Sequence, residues 1–403
     1  MSKKIVILGA GYAGLRALHE LQKEAADIEI TLVDRNEYHY EATDLHEVAA
    51  GTQKSERIIY PIRDVVKNSC TTFIQGTISA IDTEQQLVKL ADGKTLSYDY
   101  LVVALGFESE SFGIPGVDEY SLQMVDVDTA EKIYQHIEEQ MKSYKEMQDE
   151  NALKIIVCGA GFTGIELLGA LTDGKKKLAE AAGVDSEKIR LYCVEAVTRL
   201  LPMFSEKLSD YGINKLKDWG VEFLTGKPIK EIKEGSVVYL DDKENNTLKE
   251  LHGGTIIWTT GVSGSHVIGA SGFEEKRGRV MVNPDLTYPG RDNVYIIGDC
   301  SAVMDEESQR PYPTTAQISL KMGECAGKNI KAQLRGKSTQ PFTFHSLGSV
   351  CSIGNTHAFG EVGKMEIKGY PASFVKKAIM DRSLFETGGV KEVLAKGRFD
   401  FYH

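Results

Sequence analysis

The sequence has no apolar run approaching the roughly 18 residues that a membrane-crossing helix needs. It also lacks the charged, apolar and small-residue regions of a secretory leader in order. Met-Ser-Lys-Lys leads straight into Ile5–Leu8, so the cytosol is the expected compartment. Its 6 Cys form no Cys-x-x-Cys pair, which argues against a zinc ribbon, a ferredoxin cluster or a thioredoxin-like dithiol. No metal site is expected. Basic residues are in the minority, 47 against 58 acidic, for a net charge of −11. Such a surface does not suit general binding to nucleic-acid backbones. Proline is scarce at 10, while glycine reaches 39 of 403 residues with no collagen period. The glycines should therefore mark turns and close backbone approaches. At roughly 150 residues per domain, the length suggests two or three domains.

The first motif lies at the start of the chain. Residues 4–8 read as a buried strand, Gly9-Ala10-Gly11-Tyr12-Ala13-Gly14 follows at once, and a helix begins near residue 15. A second strand, Ile28 to Val33, ends in Asp34, twenty positions beyond Gly14. Gly9 permits the tight turn, Gly11 lets backbone approach a pyrophosphate, and Gly14 lets helix and strand pack closely. The free N–H groups of the helix start suit phosphate. Asp34 can accept from ribose hydroxyls, with Arg35 beside it.

The pattern recurs at mid-chain. Leu153 to Cys158 runs into Gly159-Ala160-Gly161-Phe162-Thr163-Gly164, and Ile189 to Val194 ends in Glu195. The gap from Gly164 to Glu195 is 31 positions rather than about 20, which predicts extra helix between Leu171 and Glu187. A carboxylate at position 195 accepts from a ribose 2′-OH and repels a 2′-phosphate, which favours NADH over NADPH.

Two dinucleotide units imply two dinucleotides, one resident and one exchanging, the arrangement of flavin-dependent pyridine-nucleotide oxidoreductases. Asp99–Gly106 and Thr255–Gly261 are strands running into glycine turns, each able to return the chain from an inserted sheet. Asn293 to Ile297 ends in Gly298-Asp299, and this Asp can accept from a flavin ribityl chain.

On these pieces, with Asn36-Glu37-Tyr38-His39-Tyr40, Leu45-His46 and Thr315-Ala316-Gln317, the chain resembles the two-dinucleotide-domain flavoprotein superfamily. It is most similar to the type II NADH dehydrogenase branch. The resemblance covers nearly the whole chain. It implies an α/β fold with two Rossmann-like domains and a C-terminal membrane-associating region. Residues 1–112 and 263–335 would form the FAD domain, 113–262 the NADH domain, and 336–403 the C-terminal region. The implied reaction is hydride transfer from NADH to non-covalent FAD, then two-electron reduction of a membrane quinone, with menaquinone the expected carrier and no proton pumping.

The resemblance also implies site roles. Gly9, Gly11, Tyr12, Ala13, Gly14, Asp34, Arg35, Gly106, Gly298 and Asp299 would contact FAD, as would Thr315, Ala316 and Gln317 at a helix start near the flavin. Gly159, Gly161, Phe162, Thr163, Gly164, Glu195 and Gly261 would hold NADH. Glu166 would reach the nicotinamide–flavin junction, although a carboxylate in the first turn of a helix is also favoured by the dipole alone. Gln317 would hydrogen-bond a quinone carbonyl. One turn later the family often has a second Gln. Here Lys321 stands instead, able to donate but not accept, and able to pair with Glu166 or Glu324. The 39–47 segment would lie near FAD, but no triad role is assigned to His39, His46 or His345; for the first two, packing or local hydrogen bonding is at least as good a reading as proton transfer.

Cys158 and Cys193 read as small buried hydrophobes, and a Cys300–Cys351 redox pair, which would point to a sulfide:quinone oxidoreductase, is disfavoured. Beyond Pro371 the chain reads as helix, with Phe374, Val375, Ala378, Ile379 and Phe385 on a broad face and Lys376, Lys377 and Arg382 around it for anionic head groups. Val390, Leu394, Phe399, Phe401 and Tyr402 follow. This predicts a peripheral protein on the cytoplasmic face of the cell membrane; the alternative is a tail that packs on its own body or closes a dimer, but the two can coexist, and a homodimer is expected. The main alternative activity is a soluble FAD-dependent NADH reductase of an electron-carrier protein or another diffusible oxidant. A redox-sensing interaction protein is the non-enzyme alternative.

Overall fold

Lys3–Leu8 carries Ile5, Val6, Ile7 and Leu8, all buried, so both of its sides need cover. A strand of this kind sits inside a parallel sheet faced by helices. A computed structural model describes residues 2–23, 27–66, 70–306 and 308–398, and places Lys3–Leu8 at the centre of a six-stranded sheet. Across that sheet the order is Thr287–Tyr288, Arg291–Ile296, Tyr100–Val103, Lys3–Leu8, Ile28–Asp34 and Thr71–Gln75. Every pairing is parallel except the edge pair Thr287–Tyr288 with Arg291–Ile296. Leu8 lies opposite both Val33 and Val103, so the carboxyl ends of the central strands finish level. In open sheets of this type ligands bind in the crevice beyond those ends.

A second sheet repeats the design. Leu122–Gln123, Thr255–Trp258, Lys154–Cys158, Arg190–Glu195 and Val221–Thr225 form five parallel strands in that order. Cys158 lies opposite Val194 and Trp258, which again brings the ends level. An antiparallel pair, Phe107–Ser109 with Val262–Gly264, joins the outgoing and returning strands between the two sheets. The chain is therefore an α/β protein with two Rossmann-like units.

The helix after the second glycine turn runs Phe162–Ala182, 21 residues, against 10 for Tyr12–Leu21 after the first. The long gap before Glu195 thus comes mostly from one continuous helix. Its first half, from Glu166 to Asp173, packs on a three-stranded antiparallel sheet, Gly348–Ile353, His357–Val362 and Met365–Gly369. A Cβ at Gly169 would lie 2.4 Å from the Gly354 nitrogen, so only glycine allows this approach. Two helices close the described chain, Tyr370–Gly388 and Val390–Lys396.

The first of these helices corrects the reading of the C-terminal surface. Lys376 and Lys377 do not ring a lipid-facing stripe: the Lys376 side chain is only 13% exposed and Lys377 is buried. Val375 packs with Val350, Ala358 and Ala372. The helix is apolar on two sides. Ala372, Met380 and Leu384 face the body, while Phe374, Ile379 and Phe385 remain exposed, with Val390 and Leu394 beyond them. Of the three cations, only Arg382 is outward, paired with Glu386. Phe399, Phe401 and Tyr402 lie outside the described residues.

Candidate active site

The two glycine turns are built alike. Gly9 has φ +98, and a Cβ there would lie 2.1 Å from the Ala104 oxygen; at Gly14 it would lie 1.9 Å from the Gly9 oxygen. In the second turn Gly159 has φ +110 and a Cβ at Gly164 would lie 2.0 Å from the Gly159 oxygen. Gly11 and Gly161 have nothing within 4 Å on their Cβ side. The outer glycines are thus demanded by packing, and the middle ones leave space for a ligand.

The strand-end acids repeat too. Asp34 accepts from the Ala10 N–H at 2.6 Å and the Asn36 N–H at 2.8 Å. Glu195 accepts from the Ala160 N–H at 2.8 Å and the Val197 N–H at 3.1 Å. Burial pushes the Asp34 carboxyl up, with those two N–H groups opposing. Each acid therefore tethers its own turn.

Beside the first turn lies a cavity of about 480 Å³. Its wall includes Gly9 to Ala13, Asp34, Arg35, Gly106, Gly298 and Asp299. Burial pushes the Asp299 carboxyl up to about 6, with Arg279 and Ser319 opposing. Arg279 is itself held by the Ser301 carbonyl at 3.0 and 2.8 Å. An open glycine turn at a helix N-terminus, a strand-end acid and the half-buried Asp299 on the cavity wall fit the donor and acceptor set of FAD. His39, Tyr40 and Ala42 of the 39–47 segment are on the wall, but sequence reasoning missed others, including Thr77, Glu108, Asp126, His266 and Ser319. Those residues arrive from a strand, two helices and loops far apart in the chain and share no spacing signal.

Glu166 points from the second-motif helix toward the C-terminal region. Its Oε1 accepts from the Ser352 N–H and hydroxyl, each at 3.0 Å, and lies 2.8 Å from Lys376 Nζ. Burial acts to raise the Glu166 carboxyl, but Lys376, His46 and the Ser352 N–H outweigh it and hold it below its ordinary value. Lys376 answers in kind: burial acts to lower it, and Glu166 holds it above the ordinary value. Burial depresses His46 beside them. The result is a buried, ionised pair.

Thr315 caps the helix Ala316–Leu334 by accepting from the Ile318 N–H at 3.3 Å. Gln317 Oε1 accepts from the Leu347 N–H at 3.2 Å. Lys321 pairs with Glu324 at 2.8 Å, and Glu166 takes Lys376 instead. Gly14, Thr315, Ala316, Gln317 and Lys321 are not on the cavity wall, where Ser319 represents that helix. Around the second turn, Phe162 packs on Phe204, Thr163 is exposed, and Gly261 lies under the Phe112 ring.

The family model for pyridine nucleotide-disulphide oxidoreductases matches residues 3–323. Type II NADH:quinone oxidoreductases of Staphylococcus aureus are 44% identical over 402 residues, covering 98% of this chain and 99% of theirs. The chain belongs to the type II NADH:quinone oxidoreductases. Its fold is also that of the NDH2 of Plasmodium falciparum, with TM-score 0.88 at 18% identity and full coverage of both chains. The sulfide:quinone oxidoreductase of Aquifex aeolicus follows with TM-score 0.76 at 19% identity, over 100% of this chain and 96% of that one.

In this type II NADH:quinone oxidoreductase all six cysteines are free. Cys300 donates to the Gly106 carbonyl at 3.2 Å, and burial pushes its thiol up to about 12. Burial likewise pushes Cys351 well up. Reactive cysteines need the opposite shift. Cys158 and Cys193 are fully buried, as small hydrophobes should be.

Proposed function

We propose that this chain oxidises NADH through FAD and reduces a membrane quinone, with the balance NADH + H⁺ + quinone → NAD⁺ + quinol. The observation that carries this reading is the duplicated turn, each tethered to a strand-end acid, with the large cavity beside the first. Residues 1–112 and 263–335 would hold FAD, 113–262 NADH, and 336–403 the membrane contact. FAD bound there supplies hydride acceptance and two-electron donation. Asp34 would accept from the adenosine ribose, Gly11 would admit the pyrophosphate, and Asp299 would accept from the ribityl chain. Glu195 would accept from the NADH ribose and repel a 2′-phosphate, which supports NADH as donor.

The acceptor side rests on two groups. The Leu347 N–H occupies the Gln317 carbonyl oxygen, which leaves the amide N–H₂ to donate to a quinone carbonyl. The Glu166–Lys376 pair would hold a proton at Lys376 Nζ near the junction of the two nucleotide units. Phe374, Ile379, Phe385, Val390 and Leu394 form an exposed apolar surface suited to the interfacial layer of a bilayer. No helix among the described residues is long and apolar enough to cross a membrane. The proposed position is peripheral, on the cytoplasmic face, where paired C-terminal regions of a homodimer would enlarge the lipid contact.

The test is direct. The extracted chromophore should be FAD, anaerobic NADH should bleach it faster than NADPH, and a short-chain menaquinone or ubiquinone should restore it. Finding FMN or no flavin would remove the cofactor assignment. Rapid turnover with soluble acceptors but with no quinone would remove the acceptor assignment.

A further inference from the structure

His39, on the cavity wall, and Glu41 lie against the first glycine turn, 2% and 6% exposed. His39 Nδ1 is 2.7 Å from the Ala10 carbonyl. A carbonyl only accepts, so Nδ1 carries hydrogen. That leaves Nε2 facing Glu41 Oε1 at 3.5 Å. The other carboxylate oxygen is already served, by the Tyr12 hydroxyl at 2.9 Å and Ser383 at 3.4 Å. Both Nε2 and Oε1 are buried, and neither has another hydrogen-bond partner.

Counting protons decides what this contact is. A neutral imidazole with hydrogen on Nδ1 presents a lone pair at Nε2, and an ionised carboxylate presents lone pairs at Oε1. Two acceptors would then oppose each other where no water intervenes, at the full cost of burying unpaired polar groups. One proton on either atom turns the contact into a charge-assisted or neutral hydrogen bond. The ring has no freedom to turn away, because Tyr12 packs on it at 5.5 Å and Tyr60 at 5.0 Å. The other groups facing the pair are Asp34, Asp44, Ser383 and the Tyr60 hydroxyl, and Arg57, Lys396 and Arg398 line a small cavity with Glu41, Arg398 being 3.8 Å from Asp44.

We infer that His39 and Glu41 share one proton and act as an electrically neutral positioning unit for the first nucleotide turn. This rests on the reading that the adjacent cavity holds FAD. The unit grips that turn twice, through the Ala10 carbonyl and the Tyr12 hydroxyl. Its neutrality matters because the turn faces an anionic pyrophosphate, and a bare Glu41 carboxylate behind it would repel that ligand.

Apoprotein titrated with FAD, followed by flavin fluorescence, tests the charge logic. Glu41→Gln replaces the protonated pair with a neutral amide that can donate to Nε2 and still accept from Tyr12. Its FAD affinity should stay within about threefold of wild type. His39→Phe strands the carboxylate and should weaken FAD by about tenfold. Adding Glu41→Gln to His39→Phe should restore most of that loss, which a purely steric role for His39 would not. Loss in Glu41→Gln equal to that in His39→Phe, with no recovery in the double variant, would overturn the inference. If His39→Phe does not fold, nitrogen-detected NMR of wild type and Glu41→Gln decides. Wild type should show either an imidazolium at His39 or, by infrared, a carboxylic-acid band that Glu41→Gln removes. Absence of both would overturn it. Wild type that binds no FAD at all would remove the functional reading and this inference with it.

Discussion

Asp299 shows how an acid proposed to bind a cofactor can destabilise the protein that carries it. Burial raises its carboxyl from 3.8 to about 6 in the folded chain. A raised folded value means the folded state holds the proton more tightly. Stability is therefore fully present below the unfolded value and is lost as pH rises through about 6. A shift of this size corresponds to about 3 kcal/mol. Asp299→Asn should accordingly raise the melting temperature of the apoprotein at pH 7.5 and change it little at pH 4, while weakening FAD retention. Equal melts at pH 7.5 would show that the acid is solvated. Glu166 has the opposite sign. Its folded value is held down, so its contribution is present above the unfolded value and disappears as pH falls through the lower folded one. Lys376→Met should cost about 3–5 kcal/mol near neutrality, because it leaves a buried carboxylate without its cation. Glu166→Gln in the same protein should recover much of it, as read from denaturant midpoints.

At the scale of elements, the helix Tyr370–Gly388 has two apolar sides with different work. Met380 and Leu384 hold it to the body, whereas Phe374 and Phe385 are each more than half exposed. Replacing the two exposed phenylalanines with serine should lower co-sedimentation with anionic lipid vesicles while leaving the melting temperature within a few degrees. A large fall in melting temperature would instead show that this face is covered within the protein or by a second copy. The helix Ala316–Leu334 offers a cleaner separation of function. Gln317→Ala removes one positioned hydrogen bond, worth about 0.5–1.5 kcal/mol, so quinone turnover should fall by up to about tenfold. Stopped-flow reduction of the flavin by NADH should be unchanged. If NADH reduction slows equally, Gln317 serves the flavin and not the acceptor.

At the scale of the whole molecule, the sequence by itself determined the two nucleotide units. Each is a strand, a glycine turn, a helix and a second strand ending in an acid, and the constraints act between near neighbours. Gly9 and Gly14 are required because a Cβ at either would collide with backbone, a demand that leaves its mark in the sequence. The pair of dinucleotides follows from that doubling, and the resemblance to the family rests besides on short local motifs, Asn36-Glu37-Tyr38-His39-Tyr40, Leu45-His46 and Thr315-Ala316-Gln317. What tertiary structure decided is everything that joins distant stretches. Ser352 reaches Glu166 across 186 positions and Leu347 reaches Gln317 across 30, with no spacing to announce either bond. Lys376 read as a lipid-facing cation because it stands among exposed-looking apolar residues. It turned inward because a helix that is apolar on two sides does not fix its own rotation by periodicity. The buried Glu166 carboxylate, available only once the C-terminal sheet is packed on the second-motif helix, supplies the partner that makes burying that cation tolerable.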